Sequence, residues 1–255
     1  LKVGSLHFKN EKQISREAKK IDWRPYLSNL NTFKIKTILS DKEAFKNSVF
    51  LSQVLKDGIC DYFVENSQNK QRPSVDLKRP DFEFLFYIES KRGHHQAQIY
   101  FDLSGTALSN RGYRQKGHRA PLRENLAASL VMSMDWDKKS PFLDGMCGSG
   151  TVLIESMLIA GDISPSFLKI SRPSYYFLKA PFFKKDQKLQ KAWSHLVDQT
   201  RVANQKGFEK LSQMKNCFFG NDSQRRSLEL CEQHLKACRL ESFVSLFRKD
   251  VRELL

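Results

Sequence analysis

No stretch of this sequence approaches 18 consecutive apolar residues, so no segment is expected to cross a membrane. Its start also lacks the pattern of a secretory signal. Cysteine is scarce and scattered: Cys60, Cys147, Cys217, Cys231 and Cys238 are odd in number and form no C-x-x-C pair. That excludes a disulfide framework and a zinc-finger spacing, and suits a reducing cytoplasm. Internal repeats and low-complexity tracts are absent. Acidic residues are few, 28 Asp and Glu against 43 Lys and Arg, which leaves a net charge of +15. A polyanion is therefore the expected partner, and RNA, DNA or an anionic membrane surface all meet the charge. With 40% apolar and 11% aromatic residues in 255, the chain has the makings of one large or two modest cores.

The first part reads as a small α+β module over residues 1–104. Residues 32–39 alternate as a half-buried strand. An amphipathic helix follows over 43–63, with Phe50, Leu51, Val54, Leu55, Ile59, Tyr62 and Phe63 on one face. A polar loop spans 65–72, and strands at 82–88 and 97–103 flank a turn at Gly93. Residues 104–120 form a polar connector. Pro121 then opens a helix carrying Leu122, Leu126, Leu130 and Met134 on one side. Next come a strand at 141–144, a helix at 151–160, an irregular segment at 164–181 with three prolines, and a long polar helix at 184–208. A strand at 216–220, a helix at 224–239 and a strand at 242–247 complete the series. Strands alternating with helices make a parallel sheet, so 105–255 reads as an α/β domain. The chain starts at Leu1 in patterned sequence and stops after three such strands. The expectation is a fragment of a longer protein, with half a sheet that exposes an edge and self-associates if left alone.

The chemistry gathers in FLDGMCGSGTVLIES, residues 142–156, a strand, a glycine turn and a helix start. A P-loop would need a lysine where Thr151 stands. A dinucleotide fingerprint would need a third glycine where Leu153 stands, which weakens a dehydrogenase reading. S-adenosylmethionine carries no phosphate and needs close backbone, a carboxylate for its cationic amino group and an acid for its ribose. The loop Asp144-Gly145-Met146-Cys147-Gly148-Ser149-Gly150 supplies the first two. Asn221 and Asp222 end the next strand, and Asp250 follows the one after. Three acids at successive strand ends face the crevice where such sheets bind ligands. Asp222 could instead cap the helix that begins nearby. Cys147 has no histidine near it in sequence to make it a nucleophile.

Asp144-Gly145-Met146-Cys147-Gly148-Ser149-Gly150-Thr151 resembles the D-P-M-C-G-S-G-T loop of THUMP-associated RNA methyltransferases, with Gly145 in place of the proline. The segments 72–76 (RPSVD), 102–105 (DLSG), 111–114 (RGYR) and 120–128 (APLRENLAA) are similar to the bacterial 23S rRNA guanine-N2 methyltransferase branch. The likeness runs from about Ile21 to Leu255. It implies a partial THUMP-containing, ferredoxin-like module at 1–104 and the first half of a class I (Rossmann-like) methyltransferase domain at 105–255. It further implies S-adenosyl-L-methionine as cofactor, 23S rRNA or its precursor as partner, and N2-methylguanosine as product. The family's Asn/Asp-Pro-Pro-Tyr/Phe motif does not occur in the sequence, so no catalytic residue is assigned. An adenine-N6 methyltransferase and a non-catalytic RNA-binding module that keeps the fold stay open as alternatives.

For the RNA itself, Arg111, Arg114, Lys116, His118, Arg119 and Arg123 cluster around Tyr113. Arg111, Arg114 and Arg119 are the expected phosphate contacts, with Tyr113 stacking on a base. The alternatives are a solvated connector or a lining over the cofactor. A second patch, Lys179, Lys184, Lys185, Lys188 and Lys191 beside Trp193, reads as an RNA face or as an exposed polar helix.

Overall fold

The computed structural model describes every residue except 42, 44, 46, 68, 92, 93, 115–121, 172, 173, 215 and 255. The expected turn at Gly93 and the helix start at Pro121 lie outside the described residues. The chain forms two compact units: Leu1–Gly105 with Ser174–Lys191, and Thr106–Pro173 with Ala192–Leu255. Along the chain run β1 (Lys2–Phe8), α1 (Lys12–Ala18), β2 (Thr32–Leu39), α2 (Ser48–Asn66), β3 (Ser74–Val75), β4 (Phe82–Lys91) and β5 (His94–Phe101). Then follow α3 (Glu124–Ser133), β6 (Phe142–Asp144), α4 (Thr151–Ala160), α5 (Phe167–Ser171), α6 (Pro181–Lys185), α7 (Gln187–Gln213), β7 (Phe218–Asn221), α8 (Arg225–Cys238) and β8 (Val244–Phe247).

In the first unit the strands lie in the order β1-β5-β4-β2-β3. β5 is antiparallel to β1 and β4, while β2 is parallel to β3 and β4. Period-two patterning turns Phe82, Phe84, Phe86 and Ile88 of β4 into the core. α2 starts at Ser48 because Asn47 caps it, accepting the N–H groups of Val49 and Phe50, each at 3.0 Å. Of the face expected on this helix, Leu51, Leu55, Ile59, Tyr62 and Phe63 are buried, but Phe50 is exposed. A Cβ on Gly58 would stand 2.6 Å from the Ser15 carbonyl oxygen, so this glycine lets α1 and α2 touch. β1 and α1 were not foreseen from the sequence. Their signals are short: Leu6 and Phe8 alternate, and Ile14 and Ala18 lie one turn apart.

Residues 174–191, expected within the α/β domain, pack into this first unit. Ala180 is fully buried in its core, and the Phe182 N–H donates to the Pro25 carbonyl at 2.8 Å. Here the segment is not irregular: a 3-10 turn at Tyr176–Lys179 leads to α6, which opens on Pro181 at its first helical position.

The second unit holds a parallel sheet, β6-β7-β8. Asp144 pairs with Gly220, and Asn221 with Phe247, so all three strands end at one level. Phe142, Phe218, Leu153, Ile154, Met157, Cys231 and Leu235 form its core. α3 is rotated from the expected setting. Ala127 and Val131 are buried, whereas Leu126, Leu130 and Met134 face outward, roughly half exposed. Farther along, Gly207 of α7 meets Gly161 after α4, where a Cβ on Gly207 would lie 2.5 Å from the Gly161 oxygen. Among the described residues no helix is long and apolar enough to cross a membrane.

Gly207 offers a test by sign. Ala normally stabilises a helix interior over Gly by about 1 kcal/mol. Here the added methyl overpacks, so Gly207→Ala should cost about 1–3 kcal/mol in urea unfolding. Leu130→Gln on the outward side of α3 should change stability by no more than about 0.5 kcal/mol. A stabilised Gly207→Ala would refute the close contact.

Candidate functional site

The loop after β6 carries two backbone positions that favour glycine. Gly148 has φ 55° and Gly150 φ 79°, both left-handed. At Gly150 a Cβ would also press to 2.4 Å from the Cys231 sulfur. Among the described residues no atom outside its chain neighbours lies within 4 Å of a Cβ built on Gly148, so space is open over this residue. Gly145 differs: a side chain there would meet only ordinary contacts.

Neighbouring strands and α8 hold the loop. The Cys147 N–H donates to the Asn221 carbonyl at 2.8 Å, and the Gly150 N–H closes a turn on Cys147 O at 2.8 Å. The Asn221 amide donates to Gly145 O at 3.0 Å and Lys249 O at 3.1 Å, while its oxygen accepts from the Lys249 N–H at 3.0 Å. Both of its donors are thus engaged and the residue is only 1% exposed, so its part is to hold the loops, not to touch a ligand. His234 lies buried on α8 with Nδ1 2.9 Å from Ser149 O, which requires the proton on Nδ1. The sequence reading missed this residue. Its signal was a polar ring beside the apolar stripe Leu228, Cys231, Leu235 and Cys238. Gly220 was missed as a packing residue too: a Cβ there would come within 2.8 Å of Leu246 and Leu153.

Asp144 ends β6 and Asp222 directly follows the adjoining strand β7. The Asp144 carboxyl is held above its ordinary range, mainly by burial and further by the charge of Asp222; a weak bond from the Met146 N–H works against both. Asp222 accepts the Gly148 N–H at 3.0 Å on one oxygen and the Gln224 N–H at 2.8 Å on the other. The N-cap of α8 is Gln224, so Asp222 is not that cap; it ties the glycine loop to the helix entry. Met146 is exposed at the loop tip and Ser149 is buried. Asp250 caps a short 3-10 turn, where its carboxylate pairs with Arg252 at 2.6 Å. The Cys147 thiol is pushed up by its hydrogen bond with Cys231 and by burial, which removes it as a nucleophile. Among the described residues no cluster could hold a metal ion.

Two of the arginines expected on RNA, Arg111 and Arg114, lie inside the unit. Arg111 makes a two-point pair with Glu155 of α4 at 3.1 and 3.2 Å, with side chains 11% and 2% exposed. Arg114 donates to Leu122 O at 2.7 Å and pairs with Glu124 of α3 at 3.3 Å. Tyr113, 1% exposed, belongs to the core beside His234, so it cannot stack on a base. Its hydroxyl and the Arg114 Nη1 are buried without a hydrogen-bond partner among the described residues. Charge and spacing in sequence suggested a phosphate surface; the carboxylates that claim these arginines lie 10 and 44 positions away. Arg119, Lys116 and His118 lie outside the described residues, and Arg123 stays exposed at the N-cap of α3.

Burial raises the Glu155 carboxyl, and Arg111 only partly offsets it. Arg111→Met leaves that carboxylate buried and unpaired, which should cost about 3–5 kcal/mol at neutral pH. A carboxyl raised in the folded state supplies its stability below its unfolded pKa and loses it as pH rises through the folded pKa. The variant's deficit should therefore grow from acid pH upward, as read by urea unfolding at several pH values. A deficit independent of pH would reject Glu155 as its source.

Residues 111–255 match the family described as RMKL-like methyltransferase domain, and residues 8–92 match the THUMP domain. The ribosomal RNA large subunit methyltransferase K/L of Buchnera aphidicola subsp. Schizaphis graminum is 30% identical over 252 residues, covering 99% of this chain and 34% of that protein. The enzyme of the same name from Desulfotalea psychrophila is 34% identical over 214 residues, covering 82% and 28%. The chain thus spans about a third of the length of these curated relatives. The crystal structure of SMU.472 complexed with SAH superposes with a TM-score of 0.70 at 26% identity, covering 99% of this chain and 61% of that one. The match over most of the second unit, on a glycine loop set between Asp144 and Asp222, decides the family: the chain belongs to the RMKL-like methyltransferases and carries a THUMP domain ahead of its methyltransferase domain.

Proposed function

We propose that these residues form the cofactor-binding part of an S-adenosylmethionine-dependent methyltransferase that modifies 23S rRNA or its precursor at guanine N2. The observation that carries this reading is the open space over Gly148, in a glycine loop with no lysine for phosphate and with two acids at adjoining strand ends. The names of the relatives and the SAH complex of SMU.472 support it.

The residues fit the cofactor's chemistry. When bound, S-adenosylmethionine supplies an electrophilic methyl group. Asp144 would hold its cationic amino group, and partial burial would strengthen that attraction by excluding water. Each Asp222 oxygen accepts one N–H and keeps a further lone pair for a ribose hydroxyl. Asp250 would serve the adenine edge, and its pair with Arg252 is an exposed one of little strength that a ligand can displace. The loop backbone at Gly148 admits the ligand closely, and Asn221 and His234 keep that backbone in place. A target base must leave its stack to reach the methyl group, so the RNA is held by surfaces outside the crevice. With a net charge of +15, those contacts are made to phosphates.

Titration calorimetry on the protein containing these residues should show binding of S-adenosylmethionine and S-adenosylhomocysteine and none of NADH; preferential NADH binding would overturn the reading. Asp222→Ala should weaken the cofactor by about 1–3 kcal/mol. Because the Asp144 carboxyl lies above the usual aspartate range, acid should protonate it and weaken S-adenosylmethionine at a higher pH than an ordinary surface aspartate would allow. Asp144→Asn should abolish this acid limb. For the product, mass spectrometry of digested rRNA from cells lacking the gene should show loss of N2-methylguanosine. Loss of N6-methyladenosine alone would assign the enzyme to adenine.

A further inference from the structure

We propose that Lys179, Lys184, Lys185, Lys188 and Lys191 form a rigid phosphate-binding ridge on the first unit, which takes RNA alongside the THUMP domain. This rests on the RNA reading above and names where the polyanion is held. All five lysines are exposed, and none pairs with a carboxylate among the described residues. From Ile163 to Val197 the sequence has a single acid, Asp186. One oxygen of its exposed carboxylate accepts the N–H groups of Lys188 and Leu189 at 2.9 and 3.1 Å, capping the start of α7. Five lysines outnumber this one carboxylate, so the segment keeps a net positive charge.

The ridge is also stiff, which separates it from a solvated charge run. Ala180 and Phe183 are buried, the Phe182 N–H is tied to Pro25, and the Phe182 ring packs at 6.0 Å from Phe101. The joint between α6 and α7 is braced by the Gln190 amide, which donates to Phe183 O at 3.0 Å and Lys184 O at 2.8 Å. Lys188 and Lys191 then stand three positions apart on α7, on one face of the helix. Ammonium groups on a braced helix lose less freedom on meeting phosphates than those on a mobile loop. The arginine cluster at 111–114, the rival surface, is committed to Glu155 and Glu124. The lysines remain available.

The test uses the full protein with Lys184, Lys185, Lys188 and Lys191 each changed to Gln, and its binding to a large-subunit rRNA transcript by fluorescence anisotropy over a range of salt. Each phosphate contact removed lowers the slope of log affinity against log salt by about 0.7–0.9. With four contacts removed the slope should therefore fall by about 3, with affinity at moderate salt down about tenfold or more. The matching Lys→Arg protein should bind as the parent does. Melting temperature and S-adenosylhomocysteine affinity should not move in either variant. An unchanged slope in a parent that binds RNA with strong salt dependence would overturn the ridge alone. A parent with no salt-dependent RNA binding would instead overturn the RNA reading, and the ridge with it.

Discussion

The second unit depends on the side chain of Asn221. Its amide reaches the loops after β6 and β8 at once, and the residue's backbone carbonyl receives the Cys147 N–H. Parallel strands meet only along their ladders, so the loops beyond them have no reason to converge unless something buried ties them. One amide, shielded from water, does so with three hydrogen bonds that have no solvent competitor. The glycine loop takes its place from that tie, and Asp222, the next residue, is carried into reach of the Gly148 N–H.

A second layer of support stands behind the loop. Glu155 and Glu124, on α4 and α3, hold Arg111 and Arg114, so the segment entering the domain is locked to the helix that the loop begins. These charges are buried and matched, which costs desolvation and rewards a single arrangement. His234 supports the other side of the loop through Ser149 O. The site is thus framed by polar groups facing inward, while the space over Gly148 stays open.

Local patterns carried much of this into view beforehand. The strand, glycine turn and helix start at 142–156 were legible because period, turn residues and a strand-end acid agree within fifteen positions. The three acids at successive strand ends followed from the same logic. Long-range partners were not legible. Glu155 looked like an ordinary helix residue, and nothing local says that it will neutralise Arg111. On α3 the leucines marked the wrong side, since the buried positions are Ala127 and Val131 and alanine's small size gives a weak hydrophobic signal. Asn221 was legible as a strand-end residue but not as a tie between loops, because its bonds span 28 and 76 positions.

The return of Ser174–Lys191 to the first unit has a consequence for the order of events during synthesis. The core built from residues 1–105 is unfinished when Gly105 leaves the ribosome, since Ala180 and the Phe182 bond to Pro25 are still to come. At about 5–20 residues per second, the missing piece arrives roughly 4–17 s later. In that interval the first half of the second unit, with the glycine loop, is already being made. Of the two units the first thus begins folding earlier, and it closes only after α4 has been translated.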